Sequence, residues 1–330
     1  MIQWIPWINS AFGFGAAVMY GALGETITEK SGNMNLGIPG TMCIGGAGGF
    51  AAVYLYEYAC KEAGTAPVPF VLILLGLLCG FLSAALAGLL FSFFTTTLRV
   101  NQNVTGLTLT IFGAGLSEFI GQTVSHGADS RIAATCKVFK ATPPFAEALG
   151  PVGKIFFNYG FMFYLIIVLC VLAWLFFNKT RPGLHLRAVG ENPATADAAG
   201  INVTLYKYLA TVIGSGIAGL GGVFCIFDYI NGAWSSTTPK VVEAIGWLSL
   251  ALVIFSLWRP RNLIWGALVF GLCYKLSDFL NMALSTAQVY LIQALPYVIT
   301  IAVLVITSLR KKREHQPPAS LGTSYFREDR

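Results

Sequence analysis

Ionisable side chains are rare in the apolar stretches of this sequence, and the four that occur there are the first candidates for chemistry. They are Glu118, Glu243, Lys275 and Asp278. Charged groups within an apolar helix are costly and usually mark an ion or solute pathway. Lys275 and Asp278 are three residues apart and would share one helical face. Two interpretations stay open for this pair: a structural ion pair, or part of the lining at the mouth of a pathway.

No residue pattern indicates catalysis or a bound cofactor. The nearest match to a nucleotide-binding loop is G-E-T-I-T-E-K-S, residues 24–31, where Glu29 replaces the last glycine and removes the backbone cradle for phosphates. Seven cysteines are scattered singly and three histidines are isolated, which argues against a disulfide framework or a metal centre. Nothing resembles a nucleophile with its base. We therefore predict no catalytic residue, no cofactor and no metal.

Neutral polar side chains near the starts of two apolar stretches are candidates for a solute path. They are Asn35, Asn103, Thr108 and Thr110. Asn103 and Thr110 are seven residues apart, or two helical turns, and would share a face from which Thr108 is displaced. A buried donor or acceptor left unpaired costs about 1–3 kcal/mol. These side chains therefore either face a polar solute or satisfy neighbouring backbone groups, and both alternatives stay open.

The segment N-L-G-I-P-G, residues 35–40, interrupts the start of a helix with two glycines and a proline. Non-helical backbone at membrane depth is tolerated only where protein or a water-filled cavity satisfies it. The segment is therefore a candidate lining of a solute path. The glycines that follow at positions 45, 46, 48 and 49 are better explained by close packing between helices.

The elements that must position these residues are transmembrane helices. Hydrophobic residues make up 55% of the 330 and charged residues 11%, with a mean hydropathy of +0.68, whereas roughly a quarter of a soluble domain is charged. A helix needs about 20 mostly apolar residues to cross a membrane. Nine stretches meet this requirement: about 8–24, 35–58, 69–97, 103–121, 157–178, 203–227, 241–257, 261–282 and 288–309. We predict an all-α polytopic membrane protein with one embedded domain, residues 1–309.

The basic residues predict how this domain is oriented. Fourteen of the 21 lysines and arginines fall on one side of the nine predicted spans and six on the other. This bias predicts an external N-terminus and a cytoplasmic C-terminus. It also accounts for the net charge of +6, so we expect contact with membrane lipid and no nucleic-acid partner. The polar segment 310–330 is predicted to be a disordered cytoplasmic tail.

The loop KTRPGLHLRAVGENPATADAAGINV, residues 179–203, contains a short helix with both ends marked. Asn192 can cap its first free N–H groups, Pro193 suits its first position, and Gly200 suits the left-handed stop. Most residues between are alanines. Because a short, exposed helix has little stability alone, we expect it to be held against a partner protein. The alternative is an ordinary connecting loop.

The part of this loop from Gly183 to Val203 resembles the cytoplasmic coupling segment in permease subunits of bacterial ABC importers for ribose, branched-chain amino acids and nucleosides. The motifs GALGETITEKSGNMNLGIPGTMCIGGAGGFAA, residues 21–52, and NQNVTGLTLT, residues 101–110, look most like the nucleoside-import branch. That branch pairs with a lipoprotein receptor of the basic membrane protein type. The resemblance extends over residues 21–279. Pro39 stands where that branch usually has an acidic residue.

The resemblance implies a type II ABC importer-like permease subunit in the bacterial plasma membrane. Two such subunits, identical or related, would form the path for nucleosides over a separate ATPase, and an extracytoplasmic solute-binding lipoprotein would deliver the solute. The chain itself would be no enzyme. A coupling segment, about residues 182–202, would contact the ATPase. The residues that the resemblance assigns to this contact are Arg187, Gly190, Glu191, Asn192, Ala196, Ala198 and Gly200.

Two other functions stay open on the sequence. The first is a secondary transporter driven by an ion gradient, a class that favours carboxylates and broken helices near the bilayer midplane. The second is an ABC permease for sugars or for branched-chain amino acids. The carboxylates of this chain lie near the ends of the predicted spans, and a capped helix projects beyond them, which favours the ABC importer.

Overall fold

The computed structural model describes residues 4–125, 132–144, 150–280, 285–310 and 316–326, and every regular element in these ranges is a helix. The predicted all-α fold is confirmed. The first seven helices are α1 Trp4–Glu29, α2 Ile38–Glu62, α3 Pro69–Ser92, α4 Gln102–Val124, α5 Ala133–Phe139, α6 Gly150–Phe156 and α7 Phe161–Lys179. The remaining eight are α8 Arg181–Glu191, α9 Pro193–Ala198, α10 Val203–Phe224, α11 Thr238–Phe255, α12 Pro260–Tyr274, α13 Leu276–Leu280, α14 Thr286–Gln293 and α15 Leu295–Arg310.

Seven helical segments in the described ranges are long and apolar enough to cross a membrane. They are α2, α4, α7, α11, α3 with its π-helical extension Phe93–Thr97, α10 with its π-helical extension Cys225–Tyr229, and the α14–α15 segment. The other two predicted spans correspond to α1 and to α12, which has only 15 residues. The protein is therefore a multi-pass membrane protein, but the expected number of nine spans is not confirmed.

The centre of the bundle is formed by α1, α2 and α10, with α3 packed against α2 and α10. Glycine lets these helices approach until their backbones touch. A Cβ atom on Gly45 of α2 would lie 2.3 Å from the Cα of Gly219 on α10, and one on Gly222 would lie 1.9 Å from the carbonyl oxygen of Met42. The packing role predicted for the glycines of α2 is confirmed at Gly45.

The outer surface of the bundle is apolar, as expected for helices that face lipid. About a third of the most apolar window of α3, α4 or α7 is buried, against 78% for α2 and 83% for α10. Large side chains such as Leu86 and Ile111 are 66% and 76% exposed. The buried helices α2 and α10 are surrounded by helices with exposed apolar surfaces. Because water cannot cover so much apolar surface, the chain needs lipid or protein around it.

The described part of the C-terminal segment, residues 316–326, differs from the disordered tail that the sequence led us to expect. The Ser320 N–H and hydroxyl both donate to the carbonyl of Gly190, at 3.1 and 2.6 Å. The N–H of Gly322 donates to the carbonyl of Gly32 at 3.1 Å, and the Tyr325 hydroxyl donates to Asp197 at 2.9 Å. Polar residues can be ordered when backbone groups elsewhere bind them, which composition does not reveal. Residues 311–315 and 327–330 lie outside the described ranges.

Candidate functional site

The coupling segment consists of two helices, α8 and α9, whose ends are fixed by local hydrogen bonds. The hydroxyl of Thr180 accepts from the N–H of Gly183 at 3.2 Å, and the side chain of Asn192 accepts from the N–H of Thr195 at 3.0 Å. Gly200 has a φ of +81°, the left-handed value for which a side chain is strained. The predicted capped helix is confirmed, and α8 before it is an additional helix that the sequence analysis did not identify.

The coupling segment is anchored to the bundle by close contacts. A Cβ atom on Gly190 would lie 2.2 Å from the carbonyl oxygen of Lys30, so the backbone of α8 rests directly on the turn that follows α1. Ala196 is buried with Val189 and Val203 in a small apolar cluster that joins α8, α9 and α10. A displacement of α9 would therefore act on α10, and a displacement of α8 on the end of α1.

The seven residues that the resemblance assigned to the ATPase contact fall into two groups. Gly190 and Ala196 are buried within the chain itself. The other five are exposed and form the accessible surface of the coupling segment: Arg187, Glu191, Asn192, Ala198 and Gly200. Only this second group is accessible for contact with another protein.

The broken start of α2 is held together by Asn35, whose side chain is fully buried. Its side-chain oxygen accepts from the N–H of Gly37 at 2.9 Å and closes a turn of the kind that asparagine favours. Its own N–H donates to Glu25 on α1 at 2.9 Å. The side-chain amide nitrogen of Asn35 is buried and has no hydrogen-bond partner among the described residues. Asn35 thus links the turn before α2 to α1, and its side-chain amide nitrogen remains available to bind another group.

Thr110 is the path candidate that the structure brings close to Asn35. Its hydroxyl donates to the carbonyl of Leu36 at 2.9 Å, which fixes α4 against the turn before α2. Asn103 and Thr108 lie elsewhere, on the exposed side of α4. The hydroxyl of Thr108 donates to the carbonyl of Val104 at 2.8 Å, within its own helix. The four candidates therefore do not form a single cluster within one chain.

The exposed side of α4 carries a polar stripe in an apolar surface. Thr108, Gly115, Glu118 and Gln122 follow one another at helical spacing, and all four are exposed. A carboxylate and an amide on a membrane-spanning helix are costly in contact with hydrocarbon. The stripe therefore requires water or another protein beside it. Gly115 and Gln122 were not among the sequence candidates, although their spacing from Thr108, seven and 14 residues, gives the signal.

A buried pair of carboxyl groups at the end of α1 was also missed. Glu25 and Glu29 lie one turn apart, and both side chains are buried. The indole N–H of Trp258 donates to Glu29. Two buried carboxyl groups one helical turn apart would repel each other if both were ionised. The signal in the sequence was two glutamates at i and i+4 beside a span.

Residues 24–31, which the sequence analysis compared with a nucleotide-binding loop, lie largely within α1. Their backbone N–H groups form the hydrogen bonds of that helix.

Three of the four charged candidates have partners at the opposite end of the bundle from the coupling segment. The ammonium of Lys275 lies 3.1 Å from a carboxylate oxygen of Asp278, which forms the ion pair considered in the sequence analysis. The same ammonium lies 5.2 Å from the ring centre of Tyr229. On α11, the indole N–H of Trp247 donates to Glu243 at 3.4 Å. The ion pair between Lys275 and Asp278 is therefore present, while a place for the pair at the mouth of a pathway stays a prediction.

The fold, with its long apolar helices exposed on the outside, defines a membrane-embedded protein. The chain belongs to the family described as branched-chain amino acid transport system / permease component, whose model matches residues 8–307. It is therefore a permease subunit of an ATP-binding-cassette (ABC) transporter, as the relatives below also indicate.

Three relatives illustrate the family, each 30% identical to this chain. TsgC13 of Haloferax volcanii, assigned as a glucose ABC transporter permease, is similar over 97% of both chains. The guanosine ABC transporter permease protein NupQ of Bacillus subtilis is similar over 88% of both chains. The nucleoside ABC transporter permease protein NupC of Lactococcus lactis is similar over 89% of both chains. The likeness therefore extends across the whole membrane domain.

Proposed function

We propose that this chain forms half of the solute path of an ATP-driven importer for nucleosides, in a bacterial plasma membrane with its N-terminus outside and its C-terminus in the cytoplasm. The observation that carries the proposal is the coupling segment. One side of its two capped helices packs against the bundle, and the opposite side is exposed. Two of the three relatives described above are named for nucleosides or guanosine, and the third is assigned to glucose. Sugars are therefore the second candidate substrate class.

The partner proposed for the coupling segment is a separate ABC ATPase. The exposed face of α9 is made of small side chains, Ala198 among them, which let another backbone approach closely. Arg187 and Glu191 on α8 add one charge of each sign beside it. When the ATPase closes, its movement would pass through Gly190 to the turn at Lys30. That turn leads directly to the broken start of α2 at Asn35, which would link ATP hydrolysis to the path.

The partner proposed for α4 is a second permease subunit, identical or related, with water between the two. The polar stripe from Thr108 to Gln122 supports this arrangement because it would line a route for a neutral, polar solute. Asn103 lies near the start of the same exposed side. Asn35 and Thr110 would then support the path from behind by fixing α2 against α4. An extracytoplasmic solute-binding lipoprotein would deliver the nucleoside to the end that carries Lys275 and Asp278.

The test is transport by the reconstituted complex. The chain is purified with its ATPase, companion permease and binding lipoprotein, placed in proteoliposomes, and given guanosine, adenosine, uridine, glucose and galactose in turn. We expect accumulation of nucleosides that requires ATP and is blocked by vanadate. Accumulation driven by a proton or sodium gradient without ATP would refute the importer mechanism. ATP-dependent uptake of sugars alone would refute the nucleoside assignment and leave the mechanism intact.

The orientation has its own test in intact cells. Single cysteines are placed at Ser125, Ala141 and Thr195 in a chain whose native cysteines are replaced by alanine or serine. An impermeant thiol reagent should label positions 125 and 141 from outside, and position 195 only after the membrane is opened. External labelling at position 195 would reverse the orientation proposed here.

A further inference from the structure

A polar cavity of about 420 Å³ lies where the coupling segment meets the start of α10. Four parts of the chain enclose it: the π-helical end of α3, the loop after it, the coupling segment with the first turns of α10, and the C-terminal segment. The lining residues that matter below are Thr95, Thr96, Arg99, Asp197, Lys207 and Tyr325. This cavity lies apart from the polar stripe on α4 and from the turn at Asn35.

Lys207 is the residue that indicates what the cavity binds. Its side chain is only 3% exposed and lines the cavity. Among the described residues its ammonium makes no hydrogen bond and no ion pair, although its backbone carbonyl accepts from the hydroxyl of Thr211 within α10. A buried ammonium is costly unless an anion or several acceptors face it. Asp197 lines the same cavity, but no ion pair joins it to Lys207 in the described ranges. An anionic ligand in the cavity is the arrangement that would satisfy the ammonium.

The other groups around the cavity also suit an anion. The hydroxyl of Thr96 is buried and has no partner among the described residues. The N-terminus of the 22-residue helix α10 opens onto the cavity, and helix N-termini favour negative charge. Arg99 adopts a left-handed φ of 58° and lies with its guanidinium 4.6 Å from the ring centre of Phe326. Among the described lining residues, two cations, Arg99 and Lys207, stand against one carboxylate, that of Asp197, which gives this part of the lining a net positive charge.

We propose that this cavity binds a phosphate group, carried either by a small soluble molecule or by a lipid headgroup. A tetrahedral phosphate has enough acceptor oxygens to take hydrogen bonds from an ammonium, a guanidinium and threonine hydroxyls together. The volume lies in the range of pockets for small molecules. Tyr325 closes one side of the cavity and donates to Asp197 of the coupling segment. Binding would therefore be linked to the docking of the C-terminal segment on the side proposed to contact the ATPase.

The experiment measures binding of radiolabelled inorganic phosphate to the full-length chain in dodecyl maltoside, a detergent without phosphate, by equilibrium dialysis. We expect saturable binding that Lys207→Met weakens at least about tenfold, since charge-assisted hydrogen bonds are the strong ones. Lys179→Met is the matched control, because Lys179 is an exposed lysine at the end of α7, outside the cavity, and should bind as the wild type does. Thermal unfolding of both variants verifies that they are folded.

A second arm distinguishes the two sources of phosphate. The chain is prepared in mixed phosphatidylglycerol and phosphatidylcholine nanodiscs, and retained lipids are counted by native mass spectrometry. Loss of one phosphatidylglycerol in Lys207→Met but not in Lys179→Met identifies a headgroup as the ligand, whereas Lys207-dependent binding of inorganic phosphate in dodecyl maltoside identifies a soluble one. If neither probe depends on Lys207, the proposal is refuted. Because the cavity is separate from the solute path, that result would leave the transport function unaffected.

Discussion

Two neighbouring alanines of the coupling segment provide a sharp test of ATPase docking, because one is buried and the other is exposed. Ala196 is 3% exposed and packs with Val189 and Val203. Ala198, two residues later in the same short helix, faces outward. Leucine at either position adds the same volume. The two variants therefore separate an effect on the fold of this chain from an effect on its contact with a partner.

The expected magnitudes follow from these surroundings. Adding three carbons at Ala196 overpacks a closed cluster and should destabilise the chain by about 1–3 kcal/mol. Ala198 is exposed, so the effect of the same change on stability should stay within about 0.5 kcal/mol. In a docked complex, however, Ala198→Leu would overpack the interface by a similar 1–3 kcal/mol, which weakens association about five- to hundredfold.

The measurements are the melting temperature of the isolated chain, the affinity for the ATPase, and ATP-dependent uptake by the complex. We expect Ala196→Leu to lower the melting temperature. We expect Ala198→Leu to melt as the wild type does but to bind the ATPase more weakly and to transport less. Normal affinity and uptake in Ala198→Leu would show that α9 is not the docking helix. An unchanged melting temperature in Ala196→Leu would contradict the burial of that residue.

Three further results are expected. Gly222→Ala should destabilise the chain by about 1–3 kcal/mol, because its Cβ would lie 1.9 Å from a backbone oxygen of α2, whereas Gly115→Ala, with no atom within 4 Å, should not. Tyr325→Phe removes one hydrogen bond, about 1 kcal/mol, and should speed amide exchange in residues 316–326. Burial lowers the pKa of Lys30 from 10.5 to about 8, and neighbouring guanidinium groups make a smaller contribution in the same direction. The free energy of unfolding should therefore rise with pH between about 8 and 10.5, because in this range Lys30 keeps its proton only in the unfolded chain.

Each of these results has a control and a contrary outcome. Equal melting temperatures for the two glycine variants would contradict the close crossing of α2 and α10. Amide exchange in residues 316–326 that is already fast in the wild type would contradict docking of the C-terminal segment. For the pH dependence the comparison is Lys30→Met, which should flatten the rise in stability above pH 8. An unchanged slope in that variant would assign the effect to another group.

The sequence alone determined the class of fold and the local form of the coupling segment. Long apolar stretches can lie only in lipid or in a protein core, so the helices followed from composition and length. The ends of α9 followed from Asn192 and Gly200, because a capping side chain and a left-handed glycine act on residues only a few positions away. The close packing at the glycines of α2 was also predictable, because several glycines in an apolar helix are most simply explained by contact with a neighbouring helix.

The tertiary structure decided which of the polar residues meet. Asn35 contacts Glu25, Gly190 rests on Lys30, and the C-terminal segment lies on the coupling segment; all three depend on how turns and helix ends come together in space. Burial of Lys207 and of Ala196 likewise depends on neighbours from other helices. The sequence analysis grouped Asn103 with Thr110 by their spacing, yet one is exposed and the other buried, because a helix face is defined by what packs against it. Local patterns are fixed by nearby residues, whereas sites are fixed by long-range packing that no single stretch of sequence encodes.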